Sequence, residues 1–294
     1  MQPVKNPSRD ADSALISSRQ QEALLHLLAD EDPMIHQEVR GRILALGQVV
    51  LPRIKAAALS DDAVLRLRAR EILDLVTRRQ SDEEMLAFCL SQGEDLDLER
   101  GVWLLAQSRY PEISLCGYQA LIDNYAADLR QSLHADLGPE QIIAVINEYL
   151  FGKLGFRGNE VDYFAIENNY FNQVIDKRIG NPINLCLLYL FLGRRLRLPI
   201  AGIGMPEHFI CRYQSSIGEY YIDAFHYGKL LSKGNCVEFL SRSPHGFRES
   251  YLDPVSPRSI LSRICHNLYL IYWQLGDREE CTRIRRYILA LSRA

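Results

Sequence analysis

The sequence predicts an α+β protein, mostly helical, in which one deeply buried helix packs on a small antiparallel sheet. Three observations predict it. Residues 14–110 and 259–294 carry apolar residues at helical spacing with few β-branched runs. Residues 182–196 are apolar on nearly every side, from Ile183 and Leu185 through Leu188 to Phe191 and Leu192, and a helix apolar all round belongs inside a core. Beyond it the period falls to two, at 200–203, 209–213 and 219–225, with Gly, Pro and Ser between the runs, which is the pattern of short strands.

A chain of 294 residues that is 47% hydrophobic and 24% charged can bury a sizeable core, which excludes wholesale disorder. The net charge of −3, with Lys and Arg mixed among Asp and Glu, points to neither a nucleic-acid partner nor an anionic membrane. No run of eighteen apolar residues occurs, and residues 1–13 are polar, without the apolar stretch of a signal peptide. The expectation is a disordered leader at 1–13 and a cytoplasmic protein. Seven widely spaced cysteines without a CxxC pair fit reduced thiols, and neither a disulfide frame nor a zinc site.

Three folded segments are expected. Residues 14–92 are helical, and Asp32, Ile35, Ile43 and Leu44 recur 29 positions later as Asp61, Val64, Ile72 and Leu73. The recurrence hints at helical hairpins of the HEAT kind, although the interval is short for them and Val39 falls on Arg68. Residues 93–253 form the α+β core, opening with helices near 102–107, 113–130 and 140–153, the last with Pro139 suited to a first helical turn. Residues 254–294 form a helical hairpin around Gly276-Asp277 that looks like one tetratricopeptide unit. Such a unit cannot bury Leu268, Ile271, Leu275 and Leu289 alone, so it should dock on the core or on a partner.

The candidate chemistry lies at His208, Asp223 and Cys186. If a four-residue loop at 214–217 closes Tyr213 on Gly218, antiparallel pairing sets His208 directly opposite Asp223. Opposed side chains share a face with Cβ atoms roughly 4.5–5.5 Å apart, close enough for an imidazole–carboxylate pair. That pair fixes the tautomer of a general base, or it is simply a satisfied pair at a sheet end. Cys186 is a thiol in reach of His208 or a core residue like its neighbours. Cys211 points to the other face by strand alternation.

The words Gly155-Phe156-Arg157-Gly158-Asn159, Asn168-Asn169-Tyr170-Phe171-Asn172, Arg178-Ile179-Gly180-Asn181-Pro182-Ile183, Pro206-Glu207-His208-Phe209 and Ile222-Asp223-Ala224-Phe225 occur in this order. Together they resemble the core of the bacterial SirB-type transglutaminase-like proteins, which are similar in turn to the transglutaminase and papain-like fold. The resemblance covers about residues 95–294, since that family tends to end in a tetratricopeptide-like hairpin. It implies a transglutaminase/papain-like core and a Cys-His-Asp site, with the cysteine opening the buried helix, where the helix dipole favours a thiolate. His208 and Asp223 take the second and third places. The first falls on Pro182, which cannot attack anything, and Cys186 lies one turn deeper. Glu207 stands where the family usually has glycine and sets a carboxylate beside the histidine, raising its pKa or blocking access.

Asn168 and Asn172, four apart in a helical turn, either donate hydrogen bonds into the site or hold the loop backbone. With Glu207 they are the candidate substrate-binding residues. His226 is expected to be exposed, and Arg194, Arg195 and Arg197 to cap the buried helix. Two readings follow. In one, Cys186, His208 and Asp223 form a thiol enzyme of transglutaminase or cysteine-protease type acting on amides. In the other, a non-catalytic relative binds a peptide or scaffolds a protein partner, and Pro182 favours this one. No cofactor is called for. A metal-dependent hydrolase is not indicated, because His208, Glu207 and Asp223 lack a clear further ligand.

Overall fold

The computed structural model describes residues 16–91 and 93–293, and the expected leader at 1–13 lies outside them. The chain divides into two compact units, one ending at Gln80 and one running from Ser81. The sequence had placed a boundary near residue 92.

The first unit holds α1 (Ser18–Leu28), α2 (Pro33–Leu46), α3 (Leu51–Ala57) and the first part of α4 (Ala63–Ser91). Side-chain caps set the helix starts. Ser17 and Gln20 form a reciprocal box at α1, and Asp32 accepts from Met34 N ahead of Pro33 at α2. At the start of α4, Asp62, the residue after Asp61 of the recurrence, accepts from Val64 and Leu65 N. Leu28, Val39, Ile43, Ile54 and Ile72 close the core. Ile35 and Val64 of the recurrence remain exposed.

The second unit continues with α5 (Leu98–Arg109), α6 (Leu115–Ser132), α7 (Pro139–Asn147), β1 (Arg157–Gly158), α8 (Phe171–Lys177), β2 (Ile179–Gly180) and α9 (Pro182–Leu196). It ends with β3 (Ile200–Ile203), β4 (Ile210–Gln214), β5 (Glu219–Asp223), β6 (Lys229–Leu231), α10 (Lys233–Arg242), α11 (Pro257–Leu275) and α12 (Arg278–Leu291). The fold is α+β: β3-β4-β5-β6 form an antiparallel sheet in chain order, and β1 pairs with β2 in parallel. Among the described residues, no helix is long and apolar enough to cross a membrane.

α9 is the central element, buried at every residue from Pro182 to Tyr189. Asn181 caps it by accepting from Asn184 N at 2.9 Å, and Pro182 needs no donor in the first turn. Its sheet side meets β4 and the residue ahead of it: the Cys186 thiol donates to Phe209 O and the Cys211 thiol to Cys186 O, both at 3.6 Å. Its far end is held more firmly than a solvated cap would be. Arg195 makes a bidentate pair with buried Glu99, 2.8 Å at each contact, and meets Asp123 at 2.5 Å.

α11 and α12 share this unit's core, through Leu261, Ile264, Leu268, Ile284 and Tyr287. Of the four residues expected to need cover, Leu268 and Ile271 are buried, whereas Leu275 and Leu289 stay exposed. Tyr272 of α11 also shares a buried hydrogen bond with Tyr170, 3.0 Å between hydroxyls.

Candidate functional site

The observed strand register differs from the expected one. Gln214 pairs with Glu219 and Cys211 with Ile222, so the loop is 215–218 and closes one residue later. Ser215 accounts for the shift: its N–H donates to Gly218 O at 2.9 Å and its hydroxyl accepts from Ile217 N. On that register Asp223 lies across from Ile210, two residues beyond His208, and a displacement of two keeps a side chain on the same face. His208 and Asp223 therefore still meet, as diagonal neighbours, with His208 Nε2 3.0 Å from Asp223 Oδ2. His208 stands in the loop ahead of β4, outside the strand itself.

Asp223 ends β5 and caps the turn that follows. Its Oδ1 accepts from Phe225 N and His226 N at 3.2 and 3.3 Å. Its Oδ2 is shared, lying 2.8 Å from His226 Nδ1 as well as 3.0 Å from His208 Nε2. Burial works against the charge of this carboxyl, but the His208 and His226 imidazoles outweigh burial and hold it below the usual carboxylate range. His208 Nε2, though close, makes no well-directed hydrogen bond. The His226 ring is 54% exposed, as the sequence suggested, yet it folds back onto Asp223.

Beside His208 opens a cavity of about 470 Å³, walled by Pro182 and Asn181 at the start of α9, Arg263 and Asn267 on α11, and Tyr163 and Asn169 on the loop between. Arg263 also donates to His208 O at 2.9 Å and so helps fix the loop. Glu207 reaches the cavity too, and its φ of 63° is left-handed. That conformation explains on physical grounds why glycine suits the position.

Cys186 does not line this cavity. It is fully buried, and burial first, then the neighbouring Cys211 and the Asp223 carboxylate, push its thiol well above its ordinary range. Asn168 is also buried; its amide donates to Asp162 O and Tyr163 O, and its oxygen accepts from Asn159. It thus holds the loop backbone. Asn172 lies buried on α8 with its Oδ1 unpartnered. From this stretch it is Asn169 that reaches the cavity, tied to Asn181 at 2.7 Å. Sequence reasoning had singled out neither Asn169 nor Arg263, Asn267 or Asn181 as site residues. The first and last sit inside recognised words, but the α11 residues carry no local signal.

Residues 117–266, half of the chain, match the family model of the transglutaminase-like superfamily. The chain belongs to that superfamily. It is 34% identical over 208 residues to a UPF0162 protein of Xylella fastidiosa, covering 67% of this chain and 73% of that one. A UPF0162 protein of Vibrio cholerae is 24% identical over 212 residues, 70% of this chain and 74% of its own. F-box only protein 21 of Mus musculus is 35% identical over 147 residues, which is 47% of this chain but only 22% of that protein. No solved structure matches the chain.

Proposed function

We propose that this transglutaminase-like protein is a non-catalytic relative that binds an extended peptide in the cavity beside His208. The observation that carries the reading is Pro182. It occupies the first turn of α9 at the cavity wall, where a nucleophile would gain both the helix dipole and the imidazole, while the thiol one turn deeper is buried away from the cavity.

The α11 wall supports a peptide ligand. Arg263, Asn267, Leu270, Ile271 and Gln274 form one stripe at helical spacing, about 16 Å long at 1.5 Å per residue. That length matches roughly five residues of extended chain. Asn267 and Gln274 each offer a donor and an acceptor, the complement of a peptide backbone, and the mutually bonded Asn169–Asn181 pair walls the other side. Leu270 and Phe164, both exposed, offer apolar contact to side chains. On this reading the protein is of the SirB type, with a HEAT-like helical segment before the core and a tetratricopeptide-like hairpin after it as scaffolding surfaces, and works in the cytoplasm, where its free cysteines stay reduced.

The competing reading, a thiol acyltransferase or protease acting through Cys186, is favoured by one observation, the close His208–Asp223 pair. Iodoacetamide labelling of Cys186, followed by mass spectrometry against pH in wild type and His208→Ala, separates the two. The binding module shows slow labelling with no dependence on His208. Fast labelling below neutrality that disappears in His208→Ala would establish the enzyme instead.

A further inference from the structure

We propose that His208, Asp223 and His226 form a binding site for one divalent transition-metal ion. The sequence supplied two of these groups and no third, because His226 reads as an exposed residue three positions past Asp223. The turn after β5 changes that: it carries the His226 ring back over the carboxylate, and one ligand atom from each residue lies within 4.8 Å of the others.

The two carboxylate–imidazole distances suit a shared ion. Oδ2 of Asp223 lies 3.0 Å from His208 Nε2 and 2.8 Å from His226 Nδ1. Ligands bonded at about 2.1 Å stand about 3.0–3.4 Å apart at adjacent positions in octahedral or tetrahedral geometry, so small shifts accommodate an ion. The remaining polar capacity is already arranged for it. Oδ1 is held by the Phe225 and His226 N–H groups, which fixes the carboxylate plane and leaves Oδ2 for the ligand role. His208 Nε2 is buried and lacks a well-directed hydrogen bond despite its close carboxylate, as expected of a nitrogen placed to share an ion with that oxygen.

Two imidazoles and one carboxylate are the donor set of zinc and of non-haem iron sites, and they disfavour magnesium or calcium, which prefer oxygen alone. Three protein ligands leave at least one position for water or a ligand group. The exposed side of His226 provides the entry path. Bound through Nε2, a neutral His208 would keep its proton on Nδ1, so the ion would also fix that ring's tautomer.

The test needs neither a peptide nor a reactive thiol, so it can fail while the proposed function stands, and the reverse. The full chain is freed of metal with a chelator, in a Cys116→Ser background that removes the exposed thiol. Zn²⁺ is titrated by calorimetry and Co²⁺ by visible absorption. One equivalent of Zn²⁺ should bind, and Co²⁺ should give d–d absorption. His226→Ala and His226→Gln should each weaken Zn²⁺ at least ~10-fold and abolish the Co²⁺ bands. Because His226 is largely exposed, circular dichroism should show both variants folded. His266→Ala, altering another exposed histidine, should change nothing. Absence of one-equivalent binding, or binding indifferent to both His226 substitutions, overturns the site.

Discussion

Pro182 and His208 wall the same cavity, one from the first turn of α9 and the other from the loop ahead of β4. A thiol at position 182 would meet an imidazole whose Nε2 already faces Asp223, and it would stand at the positive end of a helix. Cys186 lies one turn deeper, fully buried, with its thiol donating to Phe209 O.

On the proposed reading, Pro182→Cys should therefore create a reactive thiol beside His208. At about pH 6.5 the introduced thiol should react with iodoacetamide at least ~10-fold faster than Cys186, and His208→Ala should remove the advantage. Peptide mapping after partial labelling resolves the two thiols. Equal rates would mean that the cavity does not activate a thiol at this position.

Glu207 holds its backbone at φ 63°. A side chain in that region costs about 1–2 kcal/mol, which glycine escapes. Glu207→Gly should raise stability by roughly 1 kcal/mol, less the greater entropy of glycine in the unfolded chain. Urea unfolding measures it. A loss of stability would show that the carboxylate makes a contact outweighing the backbone strain.

Much of the fold was legible because it is written in local periods. The largely apolar run at 182–196 fixed α9 to the residue, and Asn181-Pro182 marked its start. The strand at 200–203 was likewise placed. The hairpin register missed by one residue on each strand because Ser215, not Gln214, opens the turn, and period two alone does not say where a loop closes. His208 and Asp223 still came together because the error was even. The cavity was the least legible part. Arg263 and Asn267 face His208 across more than fifty residues of chain, and a helical stripe with polar members reads locally as a solvated face. His226 was visible as a residue but not as a ligand, since only the turn geometry brings its ring to Asp223.

Cys236 predicts an alkaline limit to stability. Burial among Ile203, Ile210 and Leu240, and secondly the Asp223 carboxylate, raise its thiol from 9.0 to about 11. The unfolded chain loses this proton near 9 and the folded chain near 11, so the unfolded state binds fewer protons in that window. Stability is complete below pH 9 and falls as pH rises towards 11, by roughly 2–3 kcal/mol. Tyrosines and lysines titrate too, so the contribution is read as a difference: Cys236→Ala should be less stable at neutrality but should lose less between these limits. Parallel curves would place the alkaline loss elsewhere.

Gly158 tests how tightly the floor of the His-Asp-His cluster is built. It pairs with Gly180 at the end of β1, and a Cβ at this position would come 2.7 Å from Phe225 O and 2.8 Å from the Phe225 ring. The first of these atoms is backbone, in the turn that Asp223 caps, so it cannot move without disturbing the N–H groups of Phe225 and His226 that hold Oδ1. Gly158→Ala should cost about 1–3 kcal/mol of stability. Some of that disturbance should reach the site, because displacing Phe225 displaces its neighbour His226. Histidine nitrogen and proton chemical shifts, assigned in wild type and variant, should move for His226 and His208 but not for His134, in the loop after α6, or His266, on α11. A stability loss with both site histidines unmoved would show that the turn absorbs the strain before it reaches Asp223. An unchanged stability would mean that β1 retreats from the turn, and the close approach of Gly158 to Phe225 would then not be a constraint on the fold.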